Sequence, residues 1–360
     1  MSIRTTAIAL TAVLCAALLG GAGYVRLCVA NTNCAQAQVR VIAGSEKTPF
    51  FTDPRVRDAL ADHGLDVQVT GKGSRDLHDQ LEGYDLAFPS SALAAERIIA
   101  DRPGLRRESP FFSPMVVATY TDFAEALRQA GIARPGDRPG TWVFDVAAYL
   151  EQVRAGLRWQ DIPGVRGQPA SNGNLVLVTT TNPRSSNSAA MYIAITSNVW
   201  NGGRIAQPED IPRLAPLIGE KLFAAQGTTG LTSEEPFDVY TAPLGKSRAP
   251  MVLLYEAQFI GARITDPGRI TDDMVLMYPT PTVVADHSYV PLSPEGEELG
   301  RLLRDDPELI RLAVEHGFRP LKTETFTEVL REQDVTVPSQ LDVVQAPAYD
   351  TLEGLIDAIQ

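Results

Sequence analysis

The sequence predicts an α/β protein built from two lobes, and two observations lead to this prediction. The chain has 360 residues, which is too long for one average compact core and is typical of two packed units. From residue 39 onward, short apolar runs alternate with stretches of helical periodicity, the pattern of β-α-β units. We therefore expect each lobe to be a mixed, mostly parallel sheet flanked by helices.

Composition and charge exclude several classes of protein. Hydrophobic residues make up 44% of the chain and charged residues 21%, as in folded globular proteins and unlike disordered chains, which lack apolar surface to bury. The chain has 44 acidic and 32 basic residues, which gives a net charge of -12. Because such a surface repels DNA and RNA, we expect no nucleic-acid partner.

Residues 1–37 are predicted to be an N-terminal membrane anchor or signal peptide plus a linker. Residues 7–25 carry no charge and approach the roughly 20 apolar residues that a helix needs to cross a bilayer. An uncleaved anchor is preferred to a cleaved signal, because the nearest small-x-small cleavage site, at residues 28–30, is mediocre. In both alternatives the body lies outside the cytoplasm, anchored at the extracytoplasmic face of the membrane or secreted.

All three cysteines lie in this N-terminal region. No small residue precedes Cys15, Cys28 or Cys34, which disfavours a lipid anchor. Cys28 and Cys34 could form a disulfide in an oxidising compartment or remain unpaired thiols in a linker, and their spacing leaves both alternatives open. The body therefore has no cysteine for catalysis.

The first half of the body contains predicted strands and helices in alternation. The strands are residues 39–43, 65–70 and 84–88, and the helices are residues 53–63 and 92–100. A β-rich segment, residues 114–120, then leads into a stretch dense in Pro and Gly, residues 133–140. Such a stretch is typical of a boundary between structural units.

The second half continues the alternation and then returns to the first lobe. The predicted helices are residues 144–162, 188–199 and 208–225, and the predicted strands are 174–180, 237–240, 251–256 and 274–278. We expect the chain to cross between the lobes twice. Residues 38–117 and 275–360 are assigned to lobe 1 and residues 118–274 to lobe 2.

Parts of the body resemble type II bacterial solute-binding proteins, the group that contains molybdate, sulfate and phosphate binders. Residues 289–320 resemble the closing segment of that family, with Tyr-Val-Pro-Leu-Ser-Pro-Glu-Gly-Glu, an amphipathic helix and then His-Gly-Phe-Arg-Pro. Residues 39–45, 84–91 and 251–259 are similar to its other strand motifs.

This resemblance implies the periplasmic-binding-protein type II fold, also called the Venus-flytrap fold, and an ABC-type permease as membrane partner. A permanent N-terminal anchor would be a departure from the freely diffusing or lipidated members of the family. The resemblance spans most of residues 38–320. Residues 321–360 have no clear counterpart, and residues 351–359 are a predicted amphipathic helix of open role.

Polar side chains follow several predicted strands. Ligands of open α/β sheets bind beyond the carboxyl ends of the strands, where helix N-termini offer free N–H groups. The candidate ligand-binding residues in these places are Ser45, Glu46, Lys47, Ser90, Ser91, Arg184, Ser185, Ser186, Asn187 and Ser188. Hydroxyl groups can donate to an anion without adding charge, and Arg184 could pair with a carboxylate or oxyanion in a bidentate manner. Tyr255 and Glu256 join the candidates through the resemblance, since the second lobe of the family often lines the cleft there.

Each of these candidates also has a plain structural interpretation. Ser and Asn are the commonest helix N-caps, and an aromatic side chain at a strand end, such as Tyr255, usually packs. Glu46 argues against a simple oxyanion ligand, because a carboxylate in the cleft repels an anion unless it is protonated or paired. The ligand is therefore expected to be small and anionic or polar, without a more specific class.

Local signatures of enzymes are missing from the sequence. It contains no Gly-x-Ser-x-Gly, His-Glu-x-x-His or Cys-x-x-Cys motif. Gly245, Lys246 and Ser247 look like part of a phosphate loop, but residue 240 is Tyr where that loop requires Gly. We therefore expect a protein that is not an enzyme and has no metal site or cofactor, although a nucleophile and base brought together in space would revive a hydrolase or transferase.

The leading hypothesis is an extracytoplasmic, monomeric solute-binding protein that closes on a small ligand between its lobes and delivers it to an ABC-type permease. The alternative is a membrane-anchored surface protein that uses the same fold as an interaction module in a protein assembly. A closed or filled cleft with an exposed apolar face would favour the alternative.

Overall fold

The structure is a computed structural model that describes residues 36–100, 102–227 and 229–359. The predicted membrane segment at residues 7–25 and the possible Cys28–Cys34 disulfide lie outside the described residues. Among the described residues, no helix has the length and apolar character needed to span a bilayer.

Strands and helices alternate along the described chain. The strands are β1 (Ala37–Gly44), β2 (Leu65–Lys72), β3 (Leu86–Phe88), β4 (Glu108–Tyr120), β5 (Ala133–Pro135), β6 (Trp142–Asp145), β7 (Met251–Tyr255), β8 (Met274–Thr280), β9 (Val284–Pro291) and β10 (Arg319–Pro320). The α-helices are α1 (Thr48–Thr52), α2 (Pro54–Asp62), α3 (Ala92–Ala100), α4 (Thr121–Gln129), α5 (Val146–Ala155), α6 (Asn187–Trp200), α7 (Ile211–Ile218), α8 (Glu234–Thr241), α9 (Gly245–Arg248), α10 (Glu256–Thr265), α11 (Pro294–Asp305), α12 (Pro307–Glu315), α13 (Thr323–Glu332) and α14 (Tyr349–Ala358). Single helical turns and one π-helix complete them: Ser45–Lys47, Leu77–Asp79, Trp159–Asp161, Pro169–Ser171, Pro208–Asp210 and Gly219–Ala224.

The strands form one continuous mixed sheet in the order β2-β1-β3-β9-β4-β8-β6-β5, with β7 and β10 also paired to β4. Strand β1 runs parallel to β2 and β3, and β6 runs parallel to β8. Strand β4 is antiparallel to β7, β8 and β9. Helices flank this sheet, and the predicted α/β class is confirmed.

Two large hydrophobic clusters define the two lobes. The lobe 1 cluster is drawn from residues in 39–88 and 289–318 together with Phe111 and Ala257, and the lobe 2 cluster is drawn mainly from residues 115–285. Strands β4 and β9 pass from one cluster to the other, because Phe111 and Tyr289 lie in the first and Met115 and Ala285 in the second. The predicted boundaries at 117/118 and 274/275 remain a prediction near these crossing points.

Three predicted elements differ from those observed. Residues 237–240, predicted as a strand, lie in helix α8, where Phe237 and Tyr240 are both buried at a helical spacing of three. The predicted helix 144–162 contains only α5, which ends because Gly156 adopts a left-handed φ of 73°. Residues 174–180 make isolated bridges, such as Thr179 to Val252, and not a regular strand.

The C-terminal region extends across the whole molecule. Helix α13 packs against α12 beside lobe 1, and its buried residues form a small cluster with Val314 and Ile260. Helix α14, which the sequence predicted, packs against α6 and α7, and Leu355 joins the lobe 2 cluster. The predicted boundaries place this helix in lobe 1, but its apolar face is buried on lobe 2.

Candidate functional site

The segment after β1 turns into the protein interior. Residues Ser45–Lys47 form one helical turn, and Glu46 and Lys47 are only 5% and 1% exposed. A side chain at Gly44 would place its Cβ 2.6 Å from Glu46 Oε1 and 2.7 Å from Oε2. Glycine is needed there because the Ser90 hydroxyl and the Glu46 carboxylate, which folds back over the turn, both lie where a Cβ would be.

The Glu46 carboxylate is the centre of a buried polar network. Its Oε1 accepts hydrogen bonds from Lys47 Nζ and, at 2.5 Å, from Ser90 Oγ. Its Oε2 accepts from Ser233 Oγ at 3.3 Å. Burial raises the pKa of this carboxyl, but the Lys47 ammonium and the nearby His287 ring together outweigh burial and hold the pKa well below its usual range. Glu46 is therefore an ionised and paired group.

Lys47 is held by the same network. Its ammonium lies 3.4 Å from Ser90 Oγ and 4.8 Å from the centre of the Phe88 ring. Burial lowers the pKa of Lys47, while the neighbouring Glu46 carboxylate opposes that shift. A charge this deeply buried needs such partners, because an isolated ammonium in an apolar interior is strongly unfavourable.

Further serine hydroxyls extend the network in both directions. Ser74 Oγ is 2.6 Å from Ser90 Oγ and also accepts from the Ser90 N–H at 3.0 Å. Ser45 Oγ is 3.2 Å from Ser233 Oγ. Since Ser74 and Ser90 belong to lobe 1 and Ser233 precedes α8 of lobe 2, the hydroxyls join the two lobes.

Lobe 2 adds an amide and a phenol. Asn187, the first residue of α6, donates from Nδ2 to the Ser90 carbonyl oxygen at 3.2 Å and to Tyr255 Oη at 3.0 Å. Tyr255 ends strand β7 and is buried, and burial raises the pKa of its phenol.

His287 completes the site from strand β9, the strand that crosses between the lobes. Its ring packs edge-on against Tyr255 at a centroid distance of 5.2 Å, and its Nδ1 is 3.4 Å from Glu46 Oε1. Neither ring nitrogen makes a hydrogen bond to any of the described residues. Burial and the nearby Lys47 lower the pKa of His287 to about 4, so the imidazole is neutral at pH 7.

We name these residues the Glu46 cluster. Its members are Ser45, Glu46, Lys47, Ser74, Ser90, Asn187, Ser233, Tyr255 and His287. Six of them were sequence candidates. Ser74, Ser233 and His287 were missed: the two serines lie in turns, and His287 is a lone histidine whose position opposite Glu46 depends on the pairing of distant strands. The sequence holds one local signal for His287. It lies between Ala285 and Tyr289 at every second position of β9, so these three side chains share one face of the strand.

Four other candidate serines serve local structure around the cluster. Ser91 Oγ accepts from the Ala94 N–H and caps α3. Ser185 Oγ donates to the Leu231 carbonyl oxygen at 2.9 Å, and Ser186 and Ser188 hydroxyls lie 3.0 Å apart at the start of α6.

The structure does not bring Arg184 or Glu256 into the cluster. Arg184 is exposed, and its backbone N–H donates to Asn182 Oδ1. Glu256 is completely buried, but its carboxylate accepts two hydrogen bonds from Arg319 and one from Tyr278. Arg184 is exposed because it lies on the turn before α6, and Glu256 points away because it follows Tyr255 directly in the chain.

One small cavity borders the Glu46 cluster. The cavity lined by Ser74, Ser91 and Asn187 has a volume of about 10 Å³, room for roughly one water molecule. A cavity of about 660 Å³ lies elsewhere, on lobe 1, beside Tyr289. Four of its charged groups form ion pairs, Arg304 with Glu108 and Arg301 with Glu298, so we do not assign the site there. Among the described residues no group of three or more His, Cys, Asp or Glu side chains is arranged to hold a metal ion.

Comparison with known proteins identifies the fold. No family model and no curated protein sequence matches the chain. By structure, it is similar to the sulfate-binding protein SubI from Mycobacterium tuberculosis, with 16% sequence identity and a TM-score of 0.51 over 89% of this chain and 98% of that one. It is also similar to the periplasmic binding protein AfuA from Actinobacillus pleuropneumoniae, solved with fructose-6-phosphate, with 9% identity and a TM-score of 0.53 over 89% and 96% of the chains. Both similarities span the two lobes, and the chain has the fold of the type II periplasmic binding proteins.

Proposed function

We propose that this chain is an extracytoplasmic solute-binding protein that takes a small polar ligand between its lobes. The observation that supports this function best is the Glu46 cluster, in which polar side chains of both lobes meet at one buried place. An interface made for stability alone favours apolar contacts, because replacing a buried ion pair by packed apolar groups is often neutral or stabilising. A polar interface is what binding a polar solute requires.

The two crossing strands support a binding mechanism based on closure. Strands β4 and β9 pass directly between the lobe clusters, so small backbone changes near Ser113 and His287 would help to separate the lobes. Opening would expose Lys47, Ser90 and Ser233 to solvent. A ligand that contacts both lobes would then favour the closed state by its differential affinity for it.

The arrangement of the cluster supports binding more than catalysis. A serine nucleophile needs an effective base within hydrogen-bond reach, yet neither His287 nitrogen is hydrogen bonded to a described residue. The carboxylate that Ser90 does reach, Glu46, is a weak base because its pKa is held well below its usual range. The serine hydroxyls are instead bonded to each other and to Glu46. We therefore propose that the protein binds its ligand without chemical change.

The fold and the uncharged run at residues 7–25 together support a place at the extracytoplasmic face of the membrane. Two of the structurally similar proteins are periplasmic or sulfate-binding proteins by name. We propose delivery of the solute by a monomer to a membrane permease of the ABC type.

A thermal-shift screen of the full chain in mild detergent tests the proposed function. Oxyanions, amino acids, sugar phosphates and polyamines are added in turn, because a ligand that binds only the folded state raises the melting temperature. We expect one chemical class to raise the melting temperature of the wild type and of Arg184→Ala saturably. The same class should leave the melting temperature of Ser90→Ala unchanged. The absence of a shift with every class would overturn the proposal.

A second candidate function is an interaction module for a protein assembly, and one observation favours it. The acceptors of the Glu46 carboxylate are satisfied from within the chain by Lys47, Ser90 and Ser233. A cleft filled by its own side chains could hold the lobes closed without a solute. Small-angle scattering distinguishes the two functions, since a solute binder contracts when its ligand is added and an interaction module keeps one shape.

A further inference from the structure

We propose that Glu46 is a built-in carboxylate ligand that occupies the anion position of the cleft. Lys47, Ser90 and Ser233 donate to this carboxylate as they would to a free anion. The inference deepens the proposed function and rests on it, because it treats the Glu46 cluster as the ligand site. It assigns that site to carboxylates and related oxyanions and makes Glu46 their internal competitor.

The distribution of donors is the first argument. Lys47 and Ser90 bind Oε1 from lobe 1, and Ser233 binds Oε2 from the lobe 2 side. The carboxylate therefore bridges the two lobes, which is the position that a bound solute takes in a closing cleft. It also lies just beyond the carboxyl end of β1, where ligands of open α/β sheets bind.

The second argument is the space that the carboxylate fills. Both carboxylate oxygens lie within 2.7 Å of the place that a Cβ on residue 44 would take. The side chain thus folds back over Gly44 into the strand end instead of extending away from it. Removing the Glu46 side chain would leave a void bordered by the Lys47 ammonium and the Ser90 hydroxyl, which is complementary in shape and charge to a small carboxylate.

The third argument is charge. Glu46 and Lys47 form one neutral pair at 2% and 1% side-chain exposure. A second anion beside them would be repelled by the Glu46 carboxylate, since two like charges in one buried site cannot both be stabilised. A free anion must therefore displace Glu46, and tethering gives the internal carboxylate a high effective concentration.

His287 supplies an independent observation. It is completely buried, both ring nitrogens lack a hydrogen-bond partner among the described residues, and Nδ1 lies 3.4 Å from Glu46 Oε1 without hydrogen-bond geometry. A buried polar group without a partner is unfavourable. An anion slightly differently placed from the tethered carboxylate would accept a full hydrogen bond from this ring.

Chemical rescue tests the inference. The probe is sodium formate, which has the carboxylate that Glu46→Ala removes, and sodium chloride at equal concentration is the reference. We expect formate to raise the melting temperature of the full-chain Glu46→Ala protein saturably, with sodium sulfate as a larger second probe. Wild type and Glu46→Gln, in which the position stays filled, are expected to show no shift beyond that of chloride.

The double variant Glu46→Ala, Lys47→Met is the matched control. Without the ammonium, the half-saturating formate concentration should rise by about tenfold or more, as for loss of a charge-assisted hydrogen bond. An equal response of the single and double variants would overturn the inference, because formate would then bind elsewhere. If Glu46→Ala does not fold in chloride, refolding yield in formate is measured for it and for Glu46→Ser, and equal yields in the two salts would equally overturn it.

These outcomes separate the inference from the proposed function. Rescue of Glu46→Ala by formate, with no solute found for the wild type, would support the built-in ligand and overturn solute binding. A wild type that binds a solute, together with a Glu46→Ala protein that ignores formate and sulfate, would overturn the built-in ligand and leave solute binding standing.

Discussion

Lys47 shows how strongly the site depends on single residues. Its Nζ is bonded to Glu46 in a place where each side chain is almost fully buried. Two buried charges are tolerated because each satisfies the other, so their separate contributions to stability cannot be added.

Lys47→Met is expected to lower the free energy of unfolding by about 3 kcal/mol, because it leaves the Glu46 carboxylate buried without its cation. The double variant with Glu46→Gln should recover most of the loss, since no charge is then buried. Guanidinium unfolding of the four proteins of this cycle measures both effects. Arg184→Ala is the control and should change stability by less than about 0.5 kcal/mol, as for an exposed residue. If the stability losses of Lys47→Met and Glu46→Gln simply add in the double variant, the two buried charges are not coupled and the prediction is wrong.

His287 gives the site an acid-sensitive group. Burial lowers its pKa from 6.5 to about 4 in the folded protein, so the unfolded chain binds more protons between those values. Stability from the neutral ring is therefore present above pH 6.5 and is lost as the pH falls toward 4. We expect His287→Gln to flatten this part of the stability–pH curve, as measured by melting temperature from pH 4 to 7. A wild-type slope unchanged in the variant would assign the acid sensitivity to other groups.

Glu234 has the opposite dependence. Burial raises its pKa from 4.5 to about 7, against hydrogen bonding from Gln258 and the charge of Arg269. Between pH 4.5 and 7 the folded protein binds more protons at Glu234 than the unfolded chain does. The stability that protonated Glu234 contributes is therefore fully present below pH 4.5 and is lost as the pH rises through 7. Glu234→Gln should therefore raise the melting temperature at pH 8 relative to wild type. At pH 4.5, where both side chains are neutral, we expect little difference, and an equal gain at both pH values would refute this origin.

At the scale of secondary structure, the sequence predicted the elements whose pattern is local. Strands β1, β2 and β3 lie at or near their predicted places because each is a short apolar run followed by a polar turn. The predicted strand at 237–240 failed because a buried pair spaced by three, Phe237 and Tyr240, is compatible with a helix as well.

The site could be predicted only in part, for the same reason. Ser45, Lys47, Ser90 and Asn187 follow strands or begin helices, so their convergence follows from the α/β architecture. The hydrogen bond between Ser45 and Ser233 joins residues 188 positions apart. No local pattern encodes such a pairing, because it depends on how the two lobes close on each other.

The turn after β1 gives a prediction for this element. Gly44→Ala places a Cβ against the Ser90 hydroxyl and the Glu46 carboxylate and should destabilise the protein by about 1–3 kcal/mol, as overpacking does. Gly173→Ala is the matched control, because the nearest atom to its Cβ is the end of the flexible Gln160 side chain at 3.3 Å. Urea unfolding compares the two variants, and equal stability would show that the turn adjusts without loss.

At the scale of the whole molecule, contacts other than the Glu46 cluster also hold the lobes together. The Arg75 N–H, on the loop after β2, donates to the Ser185 carbonyl oxygen at 3.1 Å. The Arg75 guanidinium pairs with Glu353 of α14 at 2.6 Å. Since α14 packs on lobe 2, this ion pair joins the C-terminal helix to lobe 1, and both of its residues border the small cavity beside Ser74 and Asn187.

Glu353→Gln therefore tests whether α14 acts as a clamp. Arg75 is only 11% exposed in its side chain, so loss of the carboxylate removes a partner that water cannot fully replace. We expect the variant to have a larger radius of gyration by small-angle scattering, because the open state becomes more populated. Glu125→Gln breaks an exposed pair with Arg128, and such pairs contribute little, so it should leave the scattering unchanged. If both variants scatter like the wild type, the ion pair between α14 and Arg75 has no part in closure.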